Sequence, residues 1–407
     1  MKTAIMANQL AINGGIPVRT TPFTSWPIWD ECEEQALLRA LHSGQWGIGG
    51  NETAALEVEL ATVIGVRHSL TVTTGTATLI AALHAIGIGY GDEVIIPPYT
   101  FVATATACLL AGALPVFADI DPATFNIDPA AVEAAISPRT RAIMPVHIGG
   151  YPADMDRLME IAQRHGLPVI EDAAQAIGAH WRDRSVGSIG DLGSFSFQSS
   201  KNINSGEGGA LTTNNKTLYD AAWSYKNCGR TQDGLWYQHE TLGDNLRMSQ
   251  FQAAILRAQL TRLEEQAELR MRNGTYLCDG LRAIGGLTPQ PVDERVTRHG
   301  FHLVIARYNP AAFGGWSRTQ FLEALRAEGI PCASGYVPLY ETEGVRRASA
   351  ELRHVLGLPA ASPPDCPVTE RTCAEESVWI ASQSALLGTQ QDMDDILTAV
   401  GKIAAAA

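Results

Sequence analysis

Residues 141–175 read RAIMPVHIGGYPADMDRLMEIAQRHGLPVIEDAAQ. Arg141–Val146 is an apolar run, apolar positions recur at helical spacing from Asp154, and Leu167–Glu171 is a second short apolar run bounded by Gly166. Strand, helix and strand in so few residues make a βαβ unit, whose two strands lie parallel. Working outward, the unit repeats. Gly75–Ile88 carries Leu79, Ile80, Leu83 and Ile86 at helical spacing, Glu93–Pro97 reads as a strand, Phe101–Ala111 as a helix and Leu114–Ala118 as a strand, and another helix starts at Pro129. Such alternation predicts an α/β fold with a mainly parallel central sheet flanked by helices. Ligands of such sheets bind beyond the carboxyl ends of the strands, so the residues just after each strand carry the functional information.

Past Thr213 the rhythm changes. Arg247 to about Leu281, rich in Ala, Leu, Gln, Glu and Arg, predicts one long helix bridging to a smaller unit. Alternation at Phe301–Ala306 and a helical pattern at Ser317–Glu328 follow. The expected division is a large domain over 1–281, containing the bridging helix at about 247–281, and a smaller C-terminal α/β domain over 282–407.

Composition narrows the function. The 407 residues carry 30 Lys+Arg against 43 Asp+Glu, a net charge of −13, and an acidic surface repels phosphate backbones, so no nucleic-acid partner is expected. The longest apolar stretch, Ala107–Ala118, is too short to span a bilayer, and Asn8 and Gln9 interrupt the N-terminal MKTAIMANQL before it can read as a signal peptide. Seven cysteines without a C-x-x-C suit buried thiols in a reducing cytosol, which makes the expected location cytoplasmic; Cys366 and Cys373 lack the companions of a zinc site, and no metal is expected. Asp119, Asp121 and Asp128 lack the glycine and the acidic twelfth ligand of a calcium loop. Gly187–Gly193 does not spell a dinucleotide fingerprint.

Three strand-end segments carry chemistry. Thr73-Thr-Gly-Thr-Ala77 opens a helix, where free N–H groups and the helix dipole suit a phosphate, although threonine is also an ordinary N-cap. In Val169–Gln175, Asp172 stands just past an apolar strand, either as a helix cap or as a carboxylate for a protonated ring nitrogen, with Gln175 one turn on. In Gly193–Lys201, Phe195 and Phe197 alternate toward Lys201, followed by Gly206-Glu-Gly-Gly209; a desolvated lysine loses its proton readily, as Schiff-base chemistry requires, while most lysines are only solvated surface groups. A phosphate cradle, a pyridinium partner and a Schiff-base lysine together are what pyridoxal 5'-phosphate (PLP) asks of a protein.

The order and wording of these segments resemble the DegT/DnrJ/EryC1/StrS aminotransferases. The most specific pieces are Val146-His-Ile-Gly-Gly-Tyr-Pro-Ala-Asp-Met-Asp156, Glu171–Gln175, Lys201–Gly209 and Asn245-Leu-Arg-Met-Ser249, and the likeness runs from Leu10–Gly15 almost to the C-terminus. The resemblance implies PLP fold type I (aspartate aminotransferase-like) and amino transfer from L-glutamine or L-glutamate to a small-molecule ketone through a pyridoxamine phosphate form. It implies Lys201 as the lysine bonded to PLP and Asp172 as the pyridinium partner. Gln175 matches the residue near the ring's phenolic oxygen, Phe101 the stacked aromatic, and Thr76, Ala77 and Ser196 phosphate binders. Asn245 matches an asparagine that reaches the phosphate from the neighbouring subunit, which implies a homodimer with shared active sites. Relatives with histidine in place of this lysine are dehydratases, so Lys201 favours transamination. Asn202-Ile-Asn204 is more polar than the family's usual aliphatic pair, which leaves the substrate loop open. Trp26, Trp29, Ser43–Trp46, Gln198 and Asn227–Arg230 resemble two branches, the cyclitol (scyllo-inosose-type) aminotransferases of antibiotic biosynthesis and 3-amino-5-hydroxybenzoate synthase; nucleotide-sugar aminotransferases are the third alternative. Tyr336 is a substrate-contact candidate by analogy.

Overall fold

The computed structural model describes residues 9–407; Met1–Asn8, most of the stretch read for a leader, lie outside them. Two helices, α1 (Glu31–His42) and α2 (Asn51–Ile64), lead into β1 (His68–Val72), and α3 (Gly75–Ala85) follows. Strands β2 (Glu93–Ile96), β3 (Leu114–Phe117) and β4 (Thr140–Ile143) alternate with α4 (Ala103–Leu110) and α5 (Pro129–Ala135). Then come α6 (Met155–His165), β5 (Ile170–Asp172), β6 (Leu192–Ser196), β7 (Gly209–Thr213) and α7 (Lys216–Lys226).

These strands line up as β1-β7-β6-β5-β4-β2-β3, with the β5–β4 join made by parallel bridges Ile143–Val169 and Val146–Asp172. All run parallel except β7, which pairs antiparallel with both neighbours: Leu70 lies opposite Leu211, and Ser194 opposite Leu211 on the other side. Helices cover both faces, which is why Val94, Ile95 and Ile96 of β2 are apolar in succession and all buried. The expected α/β sheet is therefore present. Local signals set the boundaries: Asp154 caps α6 by accepting from the Arg157 N–H, and Gly166 ends it with φ 64°.

The single helix expected over 247–281 is instead two, α8 (Gln250–Leu260) and α9 (Leu263–Ile284). Thr261 and Arg262 break it. Both amides drop back to carbonyls three residues earlier, Ala258 and Gln259, and the Thr261 hydroxyl bonds the Ala258 carbonyl at 2.7 Å. The Arg262 guanidinium turns away to Glu33 and Asp30 of the α1 start. Composition alone gives no sign of a side chain pulled out of register by a distant acid.

A second, antiparallel sheet follows from β8 (Leu287–Pro289), β9 (Leu303–Tyr308) and β10 (Ser377–Ser382), flanked by α10 (Arg318–Ala327) and the terminal α12 (Gln390–Ala406), while α11 (Glu343–Val355) packs back on α4 and β3 of the large sheet. Its apolar core joins Phe313, Phe321, Ile380 and Ile396 to Leu277 and Leu281 of α9, and also takes in Leu10 from the chain's start. On the large sheet's side, Phe195 and Phe197 bury in one cluster with Leu56, Leu60, Ile203 and Met248. Each such phenylalanine truncated to alanine would cost about 3–5 kcal/mol, so this pair fixes the strand that delivers Lys201.

Candidate active site

The three strand-end segments meet at the carboxyl edge of the large sheet, because the order β1-β7-β6-β5 sets the ends of β1, β6 and β5 within reach of one another. They line a cleft of about 970 Å³ with Phe101, Tyr336 and the turn after β10.

Asp172 ends β5, where bonds to the Pro145 carbonyl and His147 amide hold its backbone. Its carboxylate accepts from Thr104 Oγ1 at 2.9 Å and the Ala174 N–H at 3.3 Å. Burial pushes its pKa up against the pull of those donors and of Lys201. Lys201 lies opposite. Burial lowers its pKa while the Asp172 charge resists, and its Nζ makes no hydrogen bond among the described residues. An amine pressed toward neutrality with its lone pair unengaged is a nucleophile and a base.

Gln175 is held at both ends: Oε1 accepts from the Gly149 N–H at 2.7 Å, and Nε2 donates to the Tyr336 hydroxyl at 2.9 Å. Burial pushes that hydroxyl up to about 12, so it stays a phenol. Phe101 keeps 56% of its surface open inside the cleft, an unusual exposure for a phenylalanine walled by protein and suited to covering a flat ring. At the other end Thr74 caps α3 by accepting from the Ala77 N–H, and the N–H groups of Gly75 and Thr76 have no acceptor among the described residues. Ser196 faces them. A Cβ on Gly75 would stand 2.6 Å from that of Ser196, so only glycine permits the approach.

Seven of the expected residues thus share the cleft: Lys201, Asp172, Gln175, Phe101, Thr76, Ser196 and Tyr336. Two do not. Ala77 is buried behind Thr76 with its N–H engaged by the cap, and Asn245 is exposed, bridged to Asn227 outside this cleft. The geometry fits PLP: free first-turn amides for a phosphate, a buried carboxylate for a ring N–H, an open aromatic face and an unengaged amine.

Beneath the site Glu171 and His147 are both fully buried, 3.0 Å apart. Glu171 also accepts the N–H groups of Gly187, Ile189 and Gly190 at 2.7–2.8 Å. His147 Nδ1 accepts the Ala153 N–H, leaving Nε2 to donate. Burial raises the Glu171 pKa, but His147 and the amides outweigh it and hold the carboxyl below its usual range. A depressed folded pKa gives stability that is full above the unfolded value of about 4.3 and is lost as pH falls through the folded one. Glu171→Gln, which sets an NH₂ against these donors, should cost about 3–5 kcal/mol and flatten the acid side of a melting-temperature profile between about pH 5 and 3. An unchanged acid limb would refute this account.

Several groups escape sequence reading. Thr104 sits one turn into the Phe101–Ala111 pattern, His302 in a strand alternation and Gln383 past a strand, and all three line the cleft. Burial, with Lys201 and Arg270 nearby, drives the His302 pKa well down, so it is neutral. Trp26 and Gln198, which also line the cleft, carried a signal in their wording.

Residues 27–401 match the DegT/DnrJ/EryC1/StrS aminotransferase family. The chain is 40% identical over 422 residues to an L-glutamine:2-deoxy-scyllo-inosose aminotransferase of Streptoalloteichus tenebrarius, with 98% of each chain covered. A crystal structure of 3-amino-5-hydroxybenzoic acid (AHBA) synthase superposes with TM-score 0.87 at 36% identity, over 96% of this chain and 100% of that one. DesV of S. venezuelae, solved in complex with a ketimine intermediate, gives TM-score 0.82 at 32% identity over 94% and 99%.

Proposed function

The chain belongs to the DegT/DnrJ/EryC1/StrS aminotransferase family, and from that premise we propose that it moves the amino group of L-glutamine to the ketone of an uncharged or cationic cyclitol of scyllo-inosose type, with PLP as cofactor. The observation that carries the acceptor class is the cleft's charge inventory. Among its described lining residues Lys201 is the only lysine or arginine, while Asp172 and Glu207 are acids, and the rest are hydroxyl, amide, aromatic or apolar groups. A pyrophosphate-linked sugar would find little to neutralise its charges there; a polyol ketone would find hydrogen-bond partners.

PLP, when bound, supplies the electron sink for the substrate's carbanion. Lys201 Nζ takes the proton from the donor's α-carbon and later delivers one to the acceptor's carbon. Asp172 would keep a ring nitrogen protonated, and Thr104 keeps Asp172 oriented. Gln175, tied to Tyr336, would hold the phenolic oxygen's side of the ring, and Phe101 would cover its face. Ser196, with the free Gly75 and Thr76 amides at the start of α3, would take the phosphate together with Asn245 of a second copy. That last assignment makes the enzyme a homodimer with shared sites, and it is supported by Asn245 being exposed outside its own cleft. The chain reads as a large domain over 1–281 and a smaller one over 282–407, the cleft lying where Gln383 and Tyr336 of the second face Lys201 of the first.

The likeness to AHBA synthase keeps a second reading, amination of a carboxylated six-membered ring with aromatisation. One titration separates them. The PLP-loaded protein should lose its visible band on adding L-glutamine and regain it with a scyllo-inosose-type ketone, but not with a nucleotide-linked ketohexose. Recovery with an aminodehydroshikimate, and growth of an aromatic ultraviolet band, would establish the second reading. A band indifferent to both glutamine and glutamate would overturn both.

A further inference from the structure

Lys201 lies in a stretch, 197–208, that has no helix or strand of its own between β6 and β7. Its carbonyls are nonetheless pinned one after another by side chains from distant parts of the chain. Trp26 Nε1 donates to the Ser199 carbonyl at 2.8 Å, Gln383 Nε2 to Ser200 at 2.6 Å, and Arg270 Nη2 to Asn202 at 3.0 Å. Arg270 Nε closes the ring by donating to the Gln383 carbonyl at 3.0 Å, and the Trp26 ring lies 5.4 Å from the guanidinium. Asn202 in turn bonds the Gly300 carbonyl at 2.7 Å and His302 Nδ1 at 3.1 Å.

Arg270 is the unusual member. It is fully buried on α9, Nη1 has no partner, and none of its contacts is a carboxylate among the described residues. Burial pulls its pKa down to about 9. A buried, unpaired guanidinium is expensive, and apolar replacements at such sites are often stabilising, so stability does not account for it. One of its donors holds the Asn202 carbonyl just after Lys201, and another holds the backbone of Gln383, whose side chain in turn holds the Ser200 carbonyl just before it. Lysine's flexible stem gives Nζ no fixed place unless its backbone is fixed, and misplacing a reacting group by about 1 Å can cost about 10²-fold in rate.

We propose that Arg270 and Gln383 are positioning residues that lock the backbone on both sides of Lys201, with Trp26 as the third point, so that the reacting amine is aimed by a side-chain clamp rather than by secondary structure. The clamp spans the two cores: Gln383 follows β10 of the antiparallel sheet and Arg270 belongs to the helix beneath both. Docking the C-terminal unit and aiming the lysine are then one event. The proposal rests on Lys201 being the reactive lysine, and its tests keep the two ideas apart.

The experiment compares Arg270→Met, Gln383→Leu and the double variant with the parent, all loaded with PLP. Hydrogen exchange, which does not depend on what Lys201 does, should rise at least tenfold in a peptide covering 197–208 while α9 and β6 stay protected. The single-turnover rate with L-glutamine should fall about 10²-fold in each single variant, with PLP uptake kept. The double variant should match the worse single one, since both remove the same clamp. Arg270→Lys, which restores charge but not the forked donors, should recover less than a tenth of the loss. If Arg270→Met fails to fold, Gln383→Leu carries the same two readouts. Exchange and rate within threefold of the parent, or losses that multiply in the double variant, would overturn the clamp. Full activity in Lys201→Ala would instead overturn the reading on which it rests.

Discussion

Lys201→Ala is expected to fold, to bind PLP without a covalent bond, and to turn over at least about 10⁴-fold more slowly, because it removes a nucleophile and a proton carrier in one step. Its melting temperature should not fall. The amine is a partly desolvated group with no hydrogen-bond partner among the described residues, so deleting it relieves a cost rather than breaking a contact. Borohydride followed by peptide mapping checks the covalent bond: parent protein should carry reduced cofactor on Lys201 and the variant none. Cofactor trapped on another lysine would contradict the assignment. The same variant tests the shared site. Mixed with inactive Asn245→Ala under subunit exchange, it should yield hybrid dimers with one intact site and measurable activity; exchange without recovery would count against Asn245 reaching across.

Asp172→Asn should lower the single-turnover rate with L-glutamine about 10³-fold, the upper range for losing one preorganised charge. An amide is isosteric with the carboxylate and can keep the Thr104 contact, yet it cannot hold a positive ring nitrogen. Apparent affinity for glutamine should move little, which separates this effect from loss of binding. Because burial already presses this carboxyl upward, its charge depends on a cationic partner, and the cofactor-free protein should show a more basic Asp172 than the loaded one by carbon-13 titration. A rate within tenfold of the parent would remove Asp172 from the mechanism.

Much of this was legible beforehand, for identifiable reasons. The parallel strands announce themselves because helices bury both faces, leaving unbroken runs such as Val94–Ile96. Asp172 and Lys201 stand out because strand ends are where such sheets bind. The reversal of β7 was not legible, since a five-residue strand reads alike in either direction. Nor was the break at Thr261–Arg262, which depends on acids some 230 positions away in sequence. Arg270 is the plainest case. Among the arginines of a charged helical stretch nothing marks it, and only the fold shows that it lies inward, without an acid. Asn245 draws attention only through resemblance; its local sequence gives no direction to its side chain.

The pairing of Leu70 with Leu211 has a bearing on how the protein is made. The Thr74–Thr76 turn after β1 is synthesised long before Lys201, and the two come together only when β7 slots between β1 and β6. Closing so wide a gap in the chain is entropically slow. A growing polypeptide on the ribosome therefore carries the turn and the lysine apart until the strand ending at Thr213 has cleared the exit tunnel, and the cleft stays unfinished until Tyr336 and Gln383 follow.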